Sequence, residues 1–560
     1  MIFNSCFSLY YIITYYGMQE VIPVAFQIQR RIIMSDFENA KVKVSQGWLQ
    51  GYTEGALKIF KGIPYAAPPV GALRFRHPQD PGCWRGVRRA TQYSAASVQQ
   101  VMEQAELPAN VHGVPQMLAP SQYEEDCLYL NIWTPAKTPE DKLPVFLWIH
   151  GGGMVAGSGC EVVCDGTGFA SRRDVVVVTI NYRLGFLGFF AHPDLTAEGG
   201  GTSGNYALYD MRKACQWVKE NIARFGGDPE RITVAGQSGG AAGTGALHAS
   251  PLMKGLVQRV SIESGPIYWG FMQPQDRSVM EQRGVEFMKR IGCGSIEELR
   301  ARDCWELFDA YSEYVSEVGF GGGFGFCVDG EFLPNRYSEI MDSGEFNDFD
   351  VLIGSCSQEF PCVDPQKFTV EEYYAYLEEA FPDNAENMKR WYPAQTGVQA
   401  AKQASTIASD IMLLGSVKLA QICSRYGRNA WVWLMSKENE TQRGRDAGSP
   451  HCAEMPYVFG RVDCGERNPF FPYHWVGADY DFMELIQGYW YAFCATGDPN
   501  GEGRPQWDKN SGDLEICDLC NHTHMIPPEQ FDKYRYFYEK LSHNDYTVSL
   551  FGLPRFTPKK

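Results

Sequence analysis

The stretch Ile232-Thr-Val-Ala-Gly236-Gln-Ser238-Gly-Gly240 decides how the rest of this sequence is read. A short β-branched run empties into Gly-x-Ser-x-Gly, and Ala241, Ala242 and Gly243 follow at once. Small residues around a serine permit a tight strand-to-helix turn. Such a turn holds the hydroxyl exposed in a strained backbone state, and the new helix aims its unpaired N–H groups at any oxyanion formed there. Glycine-rich turns are common, so the five residues are weak by themselves and their surroundings make the case.

Working upstream, Val145-Phe-Leu-Trp-Ile149-His150-Gly-Gly-Gly153 is a second buried run that ends in three glycines. Glycines let backbone N–H groups approach a ligand closely. Two of them together with Gly239 would form an oxyanion hole, in which each donor is worth about 3 kcal/mol of transition-state stabilisation.

Working downstream, a serine hydroxyl needs a base, and the order that goes with Gly-x-Ser-x-Gly places an acid and then a histidine after it. The histidines beyond Ser238 are His248, His451, His474, His522, His524 and His543, and spacing does not choose among them. His451 has the best local setting, after the apolar run 430–434 and a polar loop ending Ala447-Gly-Ser-Pro450. Glu359 follows the run 351–353 and the turn Gly354-Ser-Cys-Ser-Gln358 in the same way.

Residues 143–149, 175–180, 232–235, 256–262, 351–353 and 430–434 are short Val/Ile/Leu-rich runs bounded by turn residues, as expected of strands buried on both faces. A helical pattern covers 206–224 and is stopped by Phe225-Gly-Gly-Asp-Pro229. The expected architecture is α/β, a large mostly parallel central sheet flanked by helices, with the chemistry at the carboxyl ends of the strands. No linker or repeat interrupts the chain, so residues 34–560 are expected to form one catalytic domain.

Residues 1–33 are expected to be an N-terminal extension outside that domain. The segment 1–26 lacks the basic start of a signal peptide and carries polar interruptions, so no membrane span is expected. Arg30-Arg31 can be encoded by a bacterial ribosome-binding sequence, which makes Met34 the expected start of translation.

A net charge of -17 opposes binding to nucleic acid. Seventeen cysteines, an odd number, fit reduced thiols in a cytoplasm better than a disulfide framework. Cys517, Cys520, His522 and His524 offer soft ligands but lack zinc-finger spacing. No metal and no other cofactor is expected.

Beyond these local readings, the chain resembles the type-B carboxylesterases, the group that includes cholinesterases and bacterial para-nitrobenzyl-type esterases. The resemblance spans roughly residues 42–538. It rests on Phe60-Lys-Gly-Ile-Pro-Tyr-Ala-Ala-Pro-Pro-Val-Gly71, Glu125-Asp-Cys-Leu-Tyr-Leu-Asn-Ile-Trp-Thr-Pro135, Asn181-Tyr-Arg-Leu-Gly185, Asn221-Ile-Ala-Arg-Phe-Gly-Gly-Asp-Pro229 and Tyr457-Val-Phe-Gly460. It implies an α/β-hydrolase fold and a serine hydrolase that cleaves small carboxylic esters of short to medium acyl chain through an acyl-enzyme.

By the same resemblance, Ser238, Glu359 and His451 form the triad and Gly152, Gly153 and Gly239 donate to the oxyanion. Ser264 would hydrogen-bond Glu359, Glu454 would stand behind the histidine, and Arg74–Glu125 and Arg183–Asp210 would be structural ion pairs. The fold also serves catalytically silent interaction modules, but those have lost the serine or the histidine that this chain keeps.

Four departures from the family pattern bear on function. Gln237 replaces the usual Glu before the nucleophile, and Met117 replaces the tryptophan that stacks on choline, so choline esters are poor candidates. Cys127 faces Val98 where a disulfide partner would be. Cys293 faces Glu298 in the same sense, with Cys304 as an alternative partner. These absences imply a bacterial, cytoplasmic enzyme. Cys452, directly after the histidine, suggests sensitivity to oxidation. Phe320-Gly-Gly-Gly-Phe-Gly-Phe326 reads either as an aromatic pocket wall or as a plain connector. Oligomeric state is not encoded in any of these features.

Overall fold

The apolar runs become strands of one sheet. The computed structural model describes residues 35–100, 122–265, 268, 272–360, 362–364, 366–440, 442–462, 475–545, 553 and 557–558. The extension 1–33 and Met117 lie outside these residues.

In chain order the sheet comprises β1 (Tyr52–Glu54), β2 (Leu57–Pro64), β3 (Tyr129–Thr134), β4 (Leu143–Ile149), β5 (Val176–Ile180), β6 (Gly227–Gln237), β7 (Arg259–Glu263), β8 (Asp350–Cys356), β9 (Ala430–Met435), β10 (Ile516–Leu519) and β11 (His524–Met525). In space they run β11-β10-β9-β8-β7-β6-β4-β5-β3-β2-β1. The block from β10 to β5 is parallel throughout. Both flanks are antiparallel.

Burial on both faces explains why the central strands read as continuous apolar runs. Along β4, Val145, Leu147 and Ile149 enter one core, and Phe146 and Trp148 enter the other. Along β9, Val432 and Leu434 enter the first core, and Trp431, Trp433 and Met435 the second.

Helices cover both sides. In chain order the six that matter here are α1 (Tyr206–Asn221), α2 (Gly239–Ala249), α3 (Arg277–Arg290), α4 (Cys304–Val318), α5 (Gly397–Arg425) and α6 (Gly477–Thr496). α1, α2 and α5 bury their apolar faces in the first core, and α6 buries Phe482, Ile486, Trp490 and Phe493 in the second. Among the described residues α5 is the one helix long and apolar enough to cross a membrane, but 72% of its apolar window is buried within the protein, where it packs on β8 and β9.

Most strand bounds shift from the sequence reading, and two of the shifts have a local cause. β7 begins at Arg259 rather than 256, because Leu256 N–H closes a turn onto the Met253 carbonyl. The helix expected over 206–224 changes at Asn221 to a 3-10 turn, Ile222–Phe225, which ends at Gly226 with φ +79°. The two ion pairs form as bidentate forks: Arg74 with Glu125 at 2.6 and 2.5 Å, and Arg183 with Asp210 at 2.8 and 2.7 Å. Both tie loops to the scaffold.

Candidate active site

Ser238 sits between the end of β6 and the start of α2 with φ 57° and ψ -122°, a conformation that costs a non-glycine residue about 1–3 kcal/mol. The turn is held by Ser238 N–H donating to the Glu263 carbonyl at 2.9 Å and Ala242 N–H donating to the Ser238 carbonyl at 3.0 Å. Its tightness is set by Gly240, where a Cβ would stand 2.1 Å from the Ile149 carbonyl oxygen. No larger residue fits between the elbow and β4.

The glycine turn after β4 packs against this elbow. A Cβ on Gly239 would lie 3.0 Å from Gly153 N and 2.9 Å from Met154 N, so the two turns approach backbone to backbone. Gly152, Gly153 and Met154 take φ of +96°, +61° and +64°, which turns the chain so sharply that a Cβ at Gly152 would strike the Ala156 carbonyl at 2.2 Å. Within the described protein no acceptor takes the N–H groups of Gly152, Gly153 and Gly239. The N–H groups of Gly153 and Gly239 are thus left free where the two turns meet, with that of Gly152 one residue upstream.

His150 and Gln99 stiffen that turn. His150 Nδ1 contacts the Gly151 carbonyl at 2.9 Å, its ring stacks on Tyr182, and burial holds its pKa down at about 4, so it is neutral. Gln99 exchanges hydrogen bonds with Gly157 through both ends of its amide. Nothing in the local sequence marks Gln99 for this role, since the partners are 58 residues apart.

Glu359 and His451 lie just past β8 and β9, on loops that continue the parallel pairing. Gln358 N–H donates to the Ser449 carbonyl at 3.0 Å, and His451 N–H donates to the Glu359 carbonyl at 3.1 Å. His451 Nδ1 makes a short hydrogen bond to Glu359 Oε2. The other carboxylate oxygen, Oε1, accepts from Cys356 N–H at 2.6 Å, and Glu359 N–H donates to Ser409 Oγ at 2.8 Å.

This arrangement corrects the expected role of Ser264. Among the described residues its buried Oγ has no hydrogen-bond partner, and its N–H donates to the Gly354 carbonyl. Glu359 is held instead by the Cys356 amide and His451.

Gln237 places its side-chain nitrogen 3.1 Å from His451 Nε2 and 3.3 Å from Nδ1. Ser238 Oγ makes no hydrogen bond to His451 in this structure; the Gln237 amide nitrogen lies against the imidazole, nearly equidistant from its two nitrogens. With Nδ1 donating to Glu359, Nε2 is left as the acceptor, which is the tautomer a general base needs.

Behind the histidine lies a buried run of acids. Glu454 Oε2 is 3.2 Å from Cys356 Sγ, and Glu263 Oε1 accepts from Trp490 and Ser261 at 2.8 Å each. Burial, and then the Glu359 charge, raises Glu454 to about 7; burial, and then Glu454, raises Glu263 to about 8, from an ordinary value of 4.5. Both therefore keep protons in the folded state that the unfolded chain has released.

The stability these two acids contribute is accordingly fully present in acid and is lost as pH rises from about 4.5 through those raised values, while the buried neutral imidazoles of His150 and His248, both held down at about 4, act in the opposite sense below about 6.5. Between pH 5 and pH 8 the urea midpoint of the native protein is expected to change more steeply in the downward sense than that of Glu454→Gln, which lacks the raised carboxyl. A slope unchanged by the substitution would contradict this origin.

Cys452 is buried with φ 72°, and burial followed by the Glu454 and Glu359 charges drives its thiol well above the ordinary range. It is a protonated, enclosed thiol, contrary to the oxidation sensitivity expected from its position. Cys127, Cys293 and Cys304 are free.

The suspected metal cluster is rearranged. Strand alternation sends Cys517 into the core, and Asp518 instead joins Cys520 and His524 with ligand atoms within 4.8 Å of one another. β10 is four strands from β6, about 19 Å at ~4.8 Å per strand, so this trio cannot touch a group bound at Ser238.

A cavity of about 490 Å³ adjoins the glycine turn after β4. Gly153–Ala156 line it, and so does the glycine-rich loop carrying Phe324 and Phe326, which makes that loop part of a pocket wall rather than a plain connector. Its size is that of a site for a small organic molecule.

Comparison with known proteins agrees with this geometry. Residues 38–524 match the family model described as the carboxylesterase family. A fumonisin B1 esterase from Sphingopyxis macrogoltabida is 34% identical over 466 residues, covering 81% of this chain and 82% of that protein. The para-nitrobenzyl esterase of Bacillus subtilis (strain 168) is 31% identical over 470 residues, covering 82% and 91%. A solved carboxylesterase structure from Geobacillus stearothermophilus superposes with a TM-score of 0.73 at 29% identity, covering 89% of this chain and all of that one.

Proposed function

The chain belongs to the carboxylesterase family, and from that premise we propose that Ser238, His451 and Glu359 are its nucleophile, base and orienting acid, with the N–H groups of Gly152, Gly153 and Gly239 as oxyanion donors. The fold is that of the α/β-hydrolases, and the protein is a hydrolase of small carboxylic esters. The observation that carries the assignment is the His451–Glu359 hydrogen bond, formed beside a strained serine that stands against three unoccupied N–H donors.

The steps follow from these positions. As Ser238 Oγ attacks the ester carbonyl, its proton passes to His451 Nε2, where the Gln237 amide gives way to the hydroxyl; catalytic hydrogen bonds of this kind tighten only when substrate is bound. Glu359 stabilises the imidazolium through Nδ1–H, held in place by the Cys356 amide. The oxyanion is received by the three N–H groups. His451 then protonates the leaving alcohol, and water repeats the attack on the acyl-enzyme. Short to medium acyl chains suit the cavity beside Gly153. Free thiols at Cys127, Cys293 and Cys304 support a cytoplasmic setting.

A fluorophosphonate tests the nucleophile. One phosphonyl group is expected on the peptide containing Ser238, with loss of para-nitrophenyl butyrate hydrolysis in step with labelling. Labelling of another serine would overturn the assignment.

The Gln237 amide has its own test. Gln237→Glu would set a carboxylate against the imidazole and favour its charged form, so the base stays protonated to higher pH. The acid limb of the kcat/KM profile is expected to move up by about 1 pH unit. An unmoved limb would show that residue 237 does not face the base during turnover.

A further inference from the structure

The cavity beside the oxyanion turn holds one charge. Among the described residues that line it, Arg283 alone is ionised, and the rest are apolar, aromatic, glycine, serine, tyrosine or glutamine. Arg283 projects from α3, half-buried. One nitrogen donates to the Gly323 carbonyl at 2.6 Å and lies 3.9 Å from the Met280 sulfur. Among the described residues no carboxylate comes within 4.0 Å of it, although the protein carries an excess of acids. Glu286, on the next turn of the same helix, is exposed and accepts from Gln282 instead.

A guanidinium has five N–H donors in a planar fork, and clamping Gly323 uses one. A cation left without a counter-ion in a largely apolar cavity is costly to desolvate, and a bound neutral ester would bury it further. A carboxylate there would receive a charge-assisted, bidentate grip. Because the whole protein is negative, long-range attraction does not explain such a cation; its effect is at contact distance, within the screening length of about 8 Å at physiological salt.

We propose that Arg283 makes this enzyme selective for esters that carry a free carboxylate at the end remote from the scissile bond. The inference rests on the acyl-transfer reading of Ser238 and adds the chemical class of its substrate. Two placements of the carboxylate share this chemistry, on the acid part or on the alcohol part of the ester.

The test compares matched pairs. On the acid side, the para-nitrophenyl monoester of adipic acid is set against that of its monoamide; on the alcohol side, the butyrate of 4-hydroxybenzoic acid is set against that of 4-hydroxybenzamide. In the native protein one pair is expected to show kcat/KM at least several-fold higher for the carboxylate. Arg283→Gln is expected to lower that carboxylate-to-amide ratio by roughly tenfold or more, as loss of a charged hydrogen bond does. Arg283→Lys keeps the charge without the fork, and the ratio should fall between the two.

Equal losses for carboxylate and amide would make Arg283 only a clamp on Gly323 and overturn the proposal, as would native ratios near one in both pairs. Ser238→Ala separates this failure from failure of the acyl-transfer reading, since it should abolish turnover of all four esters whatever Arg283 does.

Discussion

Replacing Ser238 by alanine is expected to lower kcat for para-nitrophenyl butyrate by about 10⁶-fold while the protein stays folded. The loss is large because no other hydroxyl occupies the elbow, and what survives is the contribution of the oxyanion donors and of binding, roughly 10³–10⁴ over water. The fold tolerates the change because the turn is held by main-chain bonds, Ser238 N–H to the Glu263 carbonyl and Ala242 N–H to the Ser238 carbonyl. Alanine at φ 57° bears the same strain as serine, so the urea midpoint should hardly move. Glycine at 238 should be equally inactive but more stable, by about 1 kcal/mol, because it alone adopts that backbone freely. Since serine and histidine act as a unit, Ser238→Ala with His451→Ala should be no slower than either alone. A loss below tenfold, or additive losses in the double variant, would show that the nucleophile is elsewhere.

The parts of this site that could be read from sequence are those carried by short contiguous patterns. Gly236 to Gly240 and Gly151 to Gly153 follow buried strands, so the local chain announces both turns. Glu359 and His451 could be picked out as candidates from the strand and turn before each, but spacing does not choose among the histidines, and the family resemblance is needed to pair two residues 92 apart. Legibility stopped where alternation or tertiary contact decides the matter. The grouping at 517–524 could not be read from sequence because a strand sends successive side chains to opposite faces, which buries Cys517 and brings Asp518 to Cys520. Ser264 was expected to bond Glu359, but among the described residues its hydroxyl finds no partner, and the Cys356 amide that does hold the carboxylate leaves no trace in residue type. The antiparallel flanks escaped because β1 to β3 are partly exposed or interrupted and lack the unbroken apolar runs of the centre. Arg283 enters the cavity from a helix whose sequence reads as an ordinary charged surface, and only packing against the glycine-rich loop turns it inward.

Changing Glu359 to glutamine alters one atom's chemistry and is expected to cost about 10⁴-fold in kcat, well beyond what a single lost hydrogen bond explains. The reason is the Cys356 amide. It donates at 2.6 Å to Glu359 Oε1, so a glutamine at 359 must keep its carbonyl oxygen there and turn its NH2 toward His451 Nδ1. An NH2 facing Nδ1 requires a lone pair on that nitrogen, which moves the ring proton to Nε2. His451 then presents a donor where the serine proton must be accepted, and the base is switched off by tautomer rather than by displacement. Glu359→Asp keeps the charge but shortens the reach to both partners, and a milder loss is expected. Because the imidazolium formed in the transition state also loses its counter-charge, the defect should appear in kcat with little change in KM. Steady-state kinetics of both variants, with 15N chemical shifts of His451 reporting which nitrogen is protonated, decide the point. A glutamine variant that retained the native tautomer and most of its rate would mean that Glu359 does not orient the base.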